Sequence, residues 1–318
     1  MKKFIPNALL LVATTIVGVL AMELGLRVLH PISFMHVETQ EADEVGGIVP
    51  DRDLGWRPAL GTNEYDASGI LLSRSIYPKV KGAPKVLLIG DSVTARGQIV
   101  SGLANLMPPE TAFLNAGIEG YNIEQEIEFF FRYQTSLNPD VIIHQMHIND
   151  LHASRYLKRE RGGKLRLYSP RVSETNVNPT LYRYSQIYRF VVTNFGSRYT
   201  KDELKTAAAN SLHRMRGYTR QNGIRYHLVL FPMLEPLASW SAYDRETRDY
   251  ILRVGEELEL DVVDLQPVSE RLIAAGVDPK QDAKDILHPS HPMGEAAAKY
   301  IVERIPSLLD LPRVGMIR

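Results

Sequence analysis

Ser92 and the distant pair Asp285 and His288 have residue types and a spacing that could support nucleophilic chemistry. Serine is a poor nucleophile until a base removes its proton, and histidine is the side chain that titrates near neutral pH. A carboxylate three residues before a histidine can fold back onto the imidazole and fix its tautomer. Together the three residues predict acyl transfer, in which the serine attacks an ester carbonyl.

Two further segments offer the hydrogen-bond donors that the oxyanion of an ester's tetrahedral intermediate requires. Gly120 has no Cβ, so its backbone amide can approach a ligand closely, and Asn149 offers a side-chain amide. Each residue also has an ordinary structural explanation, since Ser92 and Asp285 could cap helices and Gly120 and Asn149 could shape turns. The prediction therefore depends on their combination, with each segment expected at the end of a strand.

The elements that must position these residues are visible as apolar runs of strand length. Such runs occupy residues 85–90, 112–116, 141–146, 226–233 and 260–265, and helix-like stretches occupy 122–137, 201–221, 243–258 and 293–309. Continuous apolar runs indicate strands buried on both faces, and their alternation with helices predicts an α/β fold around a parallel sheet. Right-handed crossovers bring the carboxyl ends of such strands to one edge, where ligands bind.

The composition limits the partners of this chain. Its 318 residues include 37 Lys and Arg and 37 Asp and Glu, so the basic excess typical of nucleic-acid-binding proteins is missing. The absence of cysteine excludes disulfides and thiolate metal sites. A competing metal constellation consists of His144, His147, Asp150 and His152, but residues 144 and 147 of a strand point to opposite faces. We therefore predict no metal, no cofactor and no nucleic acid.

The N-terminus predicts export. Lys2 and Lys3 precede an uncharged apolar run from Ala8 to Met22, the order of an export signal. No clean A-x-A cleavage site follows, which favours an uncleaved signal anchor over residues 1–30 above a cleaved signal peptide. Lysines stay on the cytoplasmic side, so the rest of the chain is expected at the outer face of the cell membrane, or secreted if the segment is cleaved.

Three regions are expected after the anchor. Residues 31–82 contain many glycines and prolines and no sustained periodicity, which indicates a stalk and N-terminal extension. Residues 83–318 form the predicted catalytic domain. Its segment from about 151 to 200 is a basic, tyrosine-rich insertion, either a solvated surface segment or a cap that suits a sugar or an anionic polymer.

The four motif-bearing segments together resemble the SGNH hydrolase family, also called GDSL-like esterases. The resemblance covers roughly residues 85–306, and its motifs are Gly-Asp-Ser-Val-Thr at 90–94, Gly-Ile-Glu-Gly at 117–120, Ile-Asn-Asp at 148–150 and Asp-Ile-Leu-His-Pro at 285–289. It implies that Ser92 is the nucleophile and that Asp285 and His288 complete a triad. It also implies that Ser92, Gly120 and Asn149 hold the oxyanion. The implied fold is a three-layer α/β/α sandwich around a five-stranded parallel sheet, a flavodoxin-like arrangement.

One position departs from the family pattern. The family has glycine two residues before the asparagine, and this chain has His147 there, which would narrow the site or add a polar contact. Asp91, His147 and His291 are the candidate substrate contacts. The anchor and the segment Leu54-Gly-Trp-Arg57 resemble members of the family that are associated with bacterial surface or exported polysaccharides.

Three functions follow as hypotheses. The first is a serine esterase that hydrolyses an acyl ester, O-acetyl in particular, on a glycan outside the cytoplasm. The second is an O-acetyltransferase of an exported polysaccharide, which would use the same triad and require a membrane partner to supply the acyl donor. The third is a non-catalytic glycan-binding or assembly protein on the same fold.

Overall fold

The structure is a computed structural model that describes residues 4–29, 47–78, 80, 82–152, 156–159, 165–168, 179–195 and 201–311. The chain divides into two compact units. Residues 46–154 and 201–318 form the first, called here the sheet unit, and residues 1–45 and 155–200 form the second, called the anchor unit.

The strands within the described residues are β1 (Ile48–Asp51), β2 (Gly55–Pro58), β3 (Lys85–Gly90), β4 (Ala112–Gly117), β5 (Val141–His147), β6 (Tyr156–Arg159), β7 (Leu165–Tyr168), β8 (Arg225–Phe231) and β9 (Val262–Asp264). The α-helices are α1 (Phe4–Leu29), α2 (Ser92–Arg96), α3 (Gln98–Leu106), α4 (Ile123–Phe129), α5 (Pro179–Tyr184), α6 (Gln186–Phe195), α7 (Lys201–Gln221), α8 (Ala242–Glu257), α9 (Gln266–Ala274) and α10 (His291–Arg304).

The sheet unit contains the predicted parallel sheet. Its five strands follow the order β4-β3-β5-β8-β9, and every neighbouring pair is parallel. Alternate residues of β3 enter two separate cores, with Val86 and Leu88 on one face and Leu87 and Ile89 on the other. Helices α3 and α10 contribute to the first core, and α4, α7 and α8 contribute to the second. The unit is therefore a three-layer α/β/α sandwich, and this confirms the predicted fold class.

The segment before the sheet is part of the same unit. Strands β1 and β2 form an antiparallel hairpin, in which Leu54 and Trp56 are buried. Farther along, Ile76 exchanges backbone hydrogen bonds with Phe113 of the edge strand β4, at 2.8 and 2.9 Å. These contacts cover an edge that would otherwise expose unpaired backbone groups. Residues 47–78 thus belong to the sheet unit, and the description of residues 31–82 as a stalk and N-terminal extension stays a prediction.

The anchor unit contains one long apolar helix. Within α1, residues 10–29 have a mean hydropathy of 1.8, and this stretch is long and apolar enough to cross a membrane. Most of its large apolar side chains are exposed, among them Leu11, Val17 and Leu24. The other described elements of this unit are the antiparallel β6–β7 hairpin and the helices α5 and α6.

Candidate active site

Three of the predicted segments follow strands directly, and the fourth does not. Ser92 follows β3, Gly120 follows β4, and Asn149 follows β5, so all three lie beyond the carboxyl ends of adjacent strands. Asp285 and His288 instead lie in the loop between α9 and α10. The expectation that this pair follows a strand is therefore wrong, because helix α9 intervenes after β9.

The loop that carries Asp285 and His288 is tied to the sheet edge by backbone hydrogen bonds. Leu234, just after β8, donates its N–H to the carbonyl oxygen of Ile286 at 2.8 Å. The base of the loop is closed by Ser290, whose N–H donates to the Pro279 oxygen at 2.8 Å. These bonds fix a long connection that has little regular structure of its own.

Ser92, His288 and Asp285 form a continuous hydrogen-bonded chain. The Oγ of Ser92 lies 2.9 Å from Nε2 of His288, and Nδ1 of His288 lies 2.7 Å from Oδ2 of Asp285. Oδ1 of Asp285 also accepts the backbone N–H groups of Leu287 and His288, each at 3.1 Å. The carboxylate therefore orients the imidazole, and the imidazole is in position to take the serine proton.

The electrostatics favour an ionised Asp285. Partial burial opposes ionisation, but the hydrogen bonds from the His288 side chain and from the backbone of His288 and Leu287 hold the pKa of Asp285 below its ordinary value. The side chains of His288 and Asp285 are 16% and 33% exposed, so both are in contact with solvent. A carboxylate next to an accessible imidazole is the arrangement that general-base activation of a serine requires.

Asp91, and not Ser92, caps the helix that begins here. Its side chain accepts the N–H of Val93 at 2.9 Å, and the Ser92 hydroxyl lies 2.9 Å from Nε2 of His288 and 3.4 Å from Oδ2 of Asp91. Asp91 is buried, and this burial raises its pKa to about 6. The helix-cap interpretation of Ser92 is therefore excluded by the observed hydrogen bonds, and Asp91 has a structural role beside its predicted contact with substrate.

Two glycines let the helix that carries Ser92 approach the sheet. A Cβ on Gly117 would lie 2.7 Å from the carbonyl carbon of Thr94 and 2.8 Å from the Cα of Ala95, both of them backbone atoms of α2. A Cβ on Gly90 would lie 2.5 Å from the carbonyl oxygen of Gln145 in β5. Sequence reasoning assigned no role to either glycine. The signal that could have found them is their place at the ends of two adjacent strands.

Asn115 connects the same elements. Its Nδ2 donates to the carbonyl oxygen of Thr94 at 2.8 Å, and its Oδ1 accepts the N–H of Gly117 at 2.9 Å. The side chain is fully buried, so these two bonds satisfy polar groups that would be costly to leave unpaired. Asn115 therefore fixes α2 against the end of β4, a role that the sequence motif alone did not reveal.

Gly120 and Asn149 are the predicted oxyanion donors. Gly120 has a φ of 79°, in the left-handed region that favours glycine, and it ends the turn after β4. Asn149 is exposed and lies in a short helical turn, Ile148–Asp150. Both residues thus occupy turns beyond the two strands that flank β3, and their role as oxyanion donors stays a prediction.

His147 lies beneath Asn149. The ring is fully buried, and its Nδ1 lies 2.7 Å from Oδ1 of Asn149 and 3.1 Å from the Asn149 backbone nitrogen. The backbone N–H of His147 donates to Oδ2 of Asp150 at 2.6 Å. Burial lowers the pKa of His147 to about 4, so the ring is neutral at physiological pH. The side chain predicted to contact substrate is instead in contact with Asn149.

Two other histidines considered in the sequence, His291 and His144, lie beside carboxylates. His291 begins α10, where its exposed ring lies 3.2 Å from Oε1 of Glu295. His144 is buried, with Nε2 at 2.8 Å from Oε2 of Glu126 and Nδ1 at 2.7 Å from the Tyr226 hydroxyl. Among the described residues, no group of three or more His, Asp and Glu side chains could hold a metal ion.

Comparisons with known proteins give distant structural likenesses. No protein-family model matches the chain, and no curated protein matches it in sequence. A catalytic mutant of an acetylxylan esterase from Geobacillus stearothermophilus aligns with 72% of this chain and 95% of its own, at 16% identity and a TM-score of 0.46. An α/β hydrolase from the metagenome of Lake Arreo, Spain, aligns with 73% of this chain and 98% of its own, at 17% identity and a TM-score of 0.47. Another acetyl xylan esterase covers 70% and 99% at 15% identity, with a TM-score of 0.46.

Proposed function

We propose that this protein is a serine esterase of the SGNH type that removes acyl groups, O-acetyl in particular, from a glycan outside the cytoplasm. The observation that carries the proposal is the chain of hydrogen bonds from Asp285 through His288 to Ser92, at 2.7 and 2.9 Å. Its support is chemical, since these contacts join a carboxylate, a base and a nucleophile in the order that acyl transfer uses.

The reaction proceeds through an acyl-enzyme. The Oγ of Ser92 attacks the ester carbonyl while Nε2 of His288 takes the hydroxyl proton, and Asp285 stabilises the resulting imidazolium. The imidazolium then gives its proton to the departing sugar oxygen, and the acyl group remains on Ser92. A water molecule, deprotonated by His288, attacks the acyl-enzyme. The imidazolium returns that proton to the Oγ of Ser92 as the carboxylic acid leaves.

The oxyanion of each tetrahedral intermediate needs donors. The proposed donors are the backbone N–H groups of Ser92 and Gly120 and the side-chain amide of Asn149. Each such donor is worth roughly 3–4 kcal/mol of barrier, because it is already oriented before charge develops. The position of Ser92 at the start of α2 also sets its amide at the positive end of a helix.

The proposed location rests on α1 and the residues before it. Lys2 and Lys3 favour the cytoplasmic side, so a membrane-spanning α1 would hold the sheet unit outside the cytoplasm. The glycan substrate is supported by the resemblance of the N-terminal segments to polysaccharide-associated members of the SGNH family. The solvent access to His288 and Asp285 is compatible with an ester on a polymer.

The test compares Ser92→Ala with Ser101→Ala, a matched loss of an exposed serine hydroxyl from α3. Acetate release is measured on a panel of acetylated glycans and simple acyl esters, and Ser92 is labelled with a fluorophosphonate. We expect Ser92→Ala to lose turnover and labelling, and Ser101→Ala to keep both. Turnover of every ester by Ser92→Ala would sink the assignment, and an unlabelled Ser92 would favour a non-catalytic glycan-binding protein.

An O-acetyltransferase that uses the same three residues is the second candidate. The observation that favours it is the exposed apolar helix α1, since a chain anchored in a membrane could receive acyl groups from a membrane-borne donor. Adding an unacetylated acceptor glycan and an acyl donor separates the two functions. An esterase releases acetate regardless of acceptor, whereas a transferase forms acetylated glycan in proportion to the acceptor.

A further inference from the structure

Helix α1 holds the start of helix α6 through a single carboxylate. The two oxygens of Glu23 accept the backbone N–H groups of Gln186 and Ile187, at 2.7 and 3.0 Å, and the hydroxyl of Ser185, at 3.0 Å. Arg27 also donates to Glu23, through Nε at 3.0 Å and Nη2 at 2.9 Å. The carboxylate thus satisfies the first N–H groups of α6, which have no partner within the helix.

Arg27 completes this contact from the same face of α1. Its Nη2 donates to the carbonyl oxygen of Tyr184 at 2.6 Å, at the last residue of α5. Glu23 and Arg27 are four residues apart and therefore lie one above the other on the helix. We call this set of contacts the Glu23 clasp; it fixes the junction of α5 and α6 to one level along α1.

The part of α1 that precedes Glu23 carries no charge and is long enough to cross a bilayer without the rest of the 10–29 stretch. From Phe4 to Met22 the helix is about 28 Å long, close to the roughly 30 Å thickness of a bilayer's hydrocarbon core. A span that continued to Leu29 would bury Glu23 and Arg27 in hydrocarbon, at a cost of about 3 kcal/mol for each charge. The Glu23 clasp therefore belongs at the outer boundary between lipid tails and headgroups.

The segment at this level has the composition of a membrane surface element. Residues 179–195 contain two arginines and no acidic residue, and five of the seventeen are Tyr or Phe. Leu181, Tyr184 and Val191 are 49%, 64% and 46% exposed. Tyrosines are enriched at the membrane–water interface, and arginines are attracted to anionic headgroups. Exposed apolar groups beside such residues suit the headgroup and glycerol region of a bilayer.

We propose that α5 and α6 lie on the outer surface of the lipid bilayer, bound to its headgroup and glycerol region and held there by the Glu23 clasp. The partner is the membrane in which α1 is anchored, with a preference for anionic lipid. This proposal rests on the anchor in the proposed function and is independent of the chemistry at Ser92. It gives residues 179–195, which lie within the predicted 151–200 insertion, a role at the membrane.

The experiment uses the absence of cysteine from the sequence, so that a single introduced cysteine gives a single label. Full-length Leu181→Cys and Val191→Cys variants carry an environment-sensitive fluorophore and are reconstituted into vesicles that contain lipids spin-labelled near the headgroup or deep in the tails. Leu106→Cys is the matched control, because Leu106 is an exposed leucine of the sheet unit at 44% exposure. Val17→Cys reports whether α1 itself is in the bilayer.

The expected pattern is quenching of labels 181 and 191 by the shallow spin label, stronger in anionic than in neutral vesicles. Label 17 is quenched by the deep spin label, and label 106 by neither. If labels 181 and 191 are quenched no more than label 106 while label 17 is still quenched, the proposal is overturned and the anchor is retained. An unquenched label 17 would overturn both. Neither result bears on Ser92, which the fluorophosphonate assay tests separately.

The Glu23 clasp is tested by Glu23→Ala in the Val191→Cys background. The substitution removes the carboxylate that accepts the N–H groups of Gln186 and Ile187, so shallow quenching of label 191 should fall to the level of label 106. Glu303→Ala, which removes an exposed glutamate from α10, should leave the quenching unchanged. Unchanged quenching in Glu23→Ala would refute the clasp as the tether.

Discussion

Replacing Asp285 with asparagine tests the proposed triad through a change in a single atom. Oδ1 of Asp285 accepts two backbone N–H groups, whereas Oδ2 lies 2.7 Å from Nδ1 of His288. Asparagine has one acceptor oxygen, and we expect it to face the two backbone donors, because the opposite orientation would set an NH₂ group against both. Its NH₂ group then donates to Nδ1 of His288, and the imidazole proton moves to Nε2.

That tautomer cannot take the proton of Ser92, because Nε2 already carries one. The productive tautomer requires the asparagine amide to rotate so that its oxygen faces Nδ1 of His288. This rotation leaves the two backbone donors unsatisfied and costs about 1 kcal/mol for each of them, or about 2 kcal/mol in total. At that cost about one molecule in 30 has the productive tautomer. The missing charge beside the imidazolium costs about 2–3 kcal/mol more, the value of a hydrogen bond to a charged group. The two effects together predict a fall in kcat of about 10³- to 10⁴-fold.

The assay measures kcat with para-nitrophenyl acetate and with the acetylated glycan identified for the wild-type protein. Asp282→Asn is the matched control, because Asp282 is an exposed aspartate of the same loop that caps only the N–H of Lys284, at 2.9 Å. We expect Asp282→Asn to keep wild-type kcat and both variants to keep the wild-type melting temperature. If Asp285→Asn stays within tenfold of the wild-type kcat while Ser92→Ala is inactive, the tautomer argument is refuted.

Three further perturbations follow from the site. Gly117→Ala forces a Cβ into the backbone of α2 and should lower the free energy of unfolding, measured by urea titration, by about 2–3 kcal/mol. The control is Gly217→Ala in α7, where the new Cβ meets open space. This variant should raise the free energy of unfolding by up to about 1 kcal/mol. Because His147 contacts Asn149, His147→Ala should act through Asn149 and lower kcat more than it changes KM. The double variant His147→Ala/Asn149→Ala should then have the same kcat as Asn149→Ala alone. If the losses of the two single variants add in the double variant, the two residues do not act together. Asp91→Asn keeps the helix cap but cannot ionise. Because burial raises the pKa of Asp91 to about 6, the aspartate's stability contribution is present below its ordinary pKa and is lost as pH rises through about 6. The asparagine variant should therefore gain stability relative to the wild type as pH rises from about 4 to about 6, and a constant difference over that range would show that Asp91 does not titrate there.

Much of the sheet could be predicted because burial on both faces leaves a continuous signal in the sequence. The run at 85–90 matches β3, and the helix-like stretch at 201–221 matches α7. Helices α3 and α9 were not predicted, although both contribute to the buried core. They are nine residues each, which gives a helical period little room to show.

The candidate site was predictable in residue type and only partly in geometry. Ser92, Gly120 and Asn149 follow strands, and a parallel sheet brings such positions to one edge without further information. Asp285 and His288 reach that edge through a loop after α9. Their partnership could be read from their spacing, but their approach to Ser92 depends on backbone bonds made by Leu234 and Ser290.

The sequence by itself therefore determined the parallel sheet, the apolar N-terminal helix and the residue types at the sheet edge, since these depend on local pattern and on the handedness of the chain. The tertiary structure decided which of those residues touch. It joined His288 to Ser92 across nearly two hundred positions, gave the helix cap to Asp91, and turned His147 toward Asn149. It also joined Glu23 to the start of α6, more than 160 positions away. Contacts of this kind arise between segments that are distant in the chain, and no local periodicity encodes them.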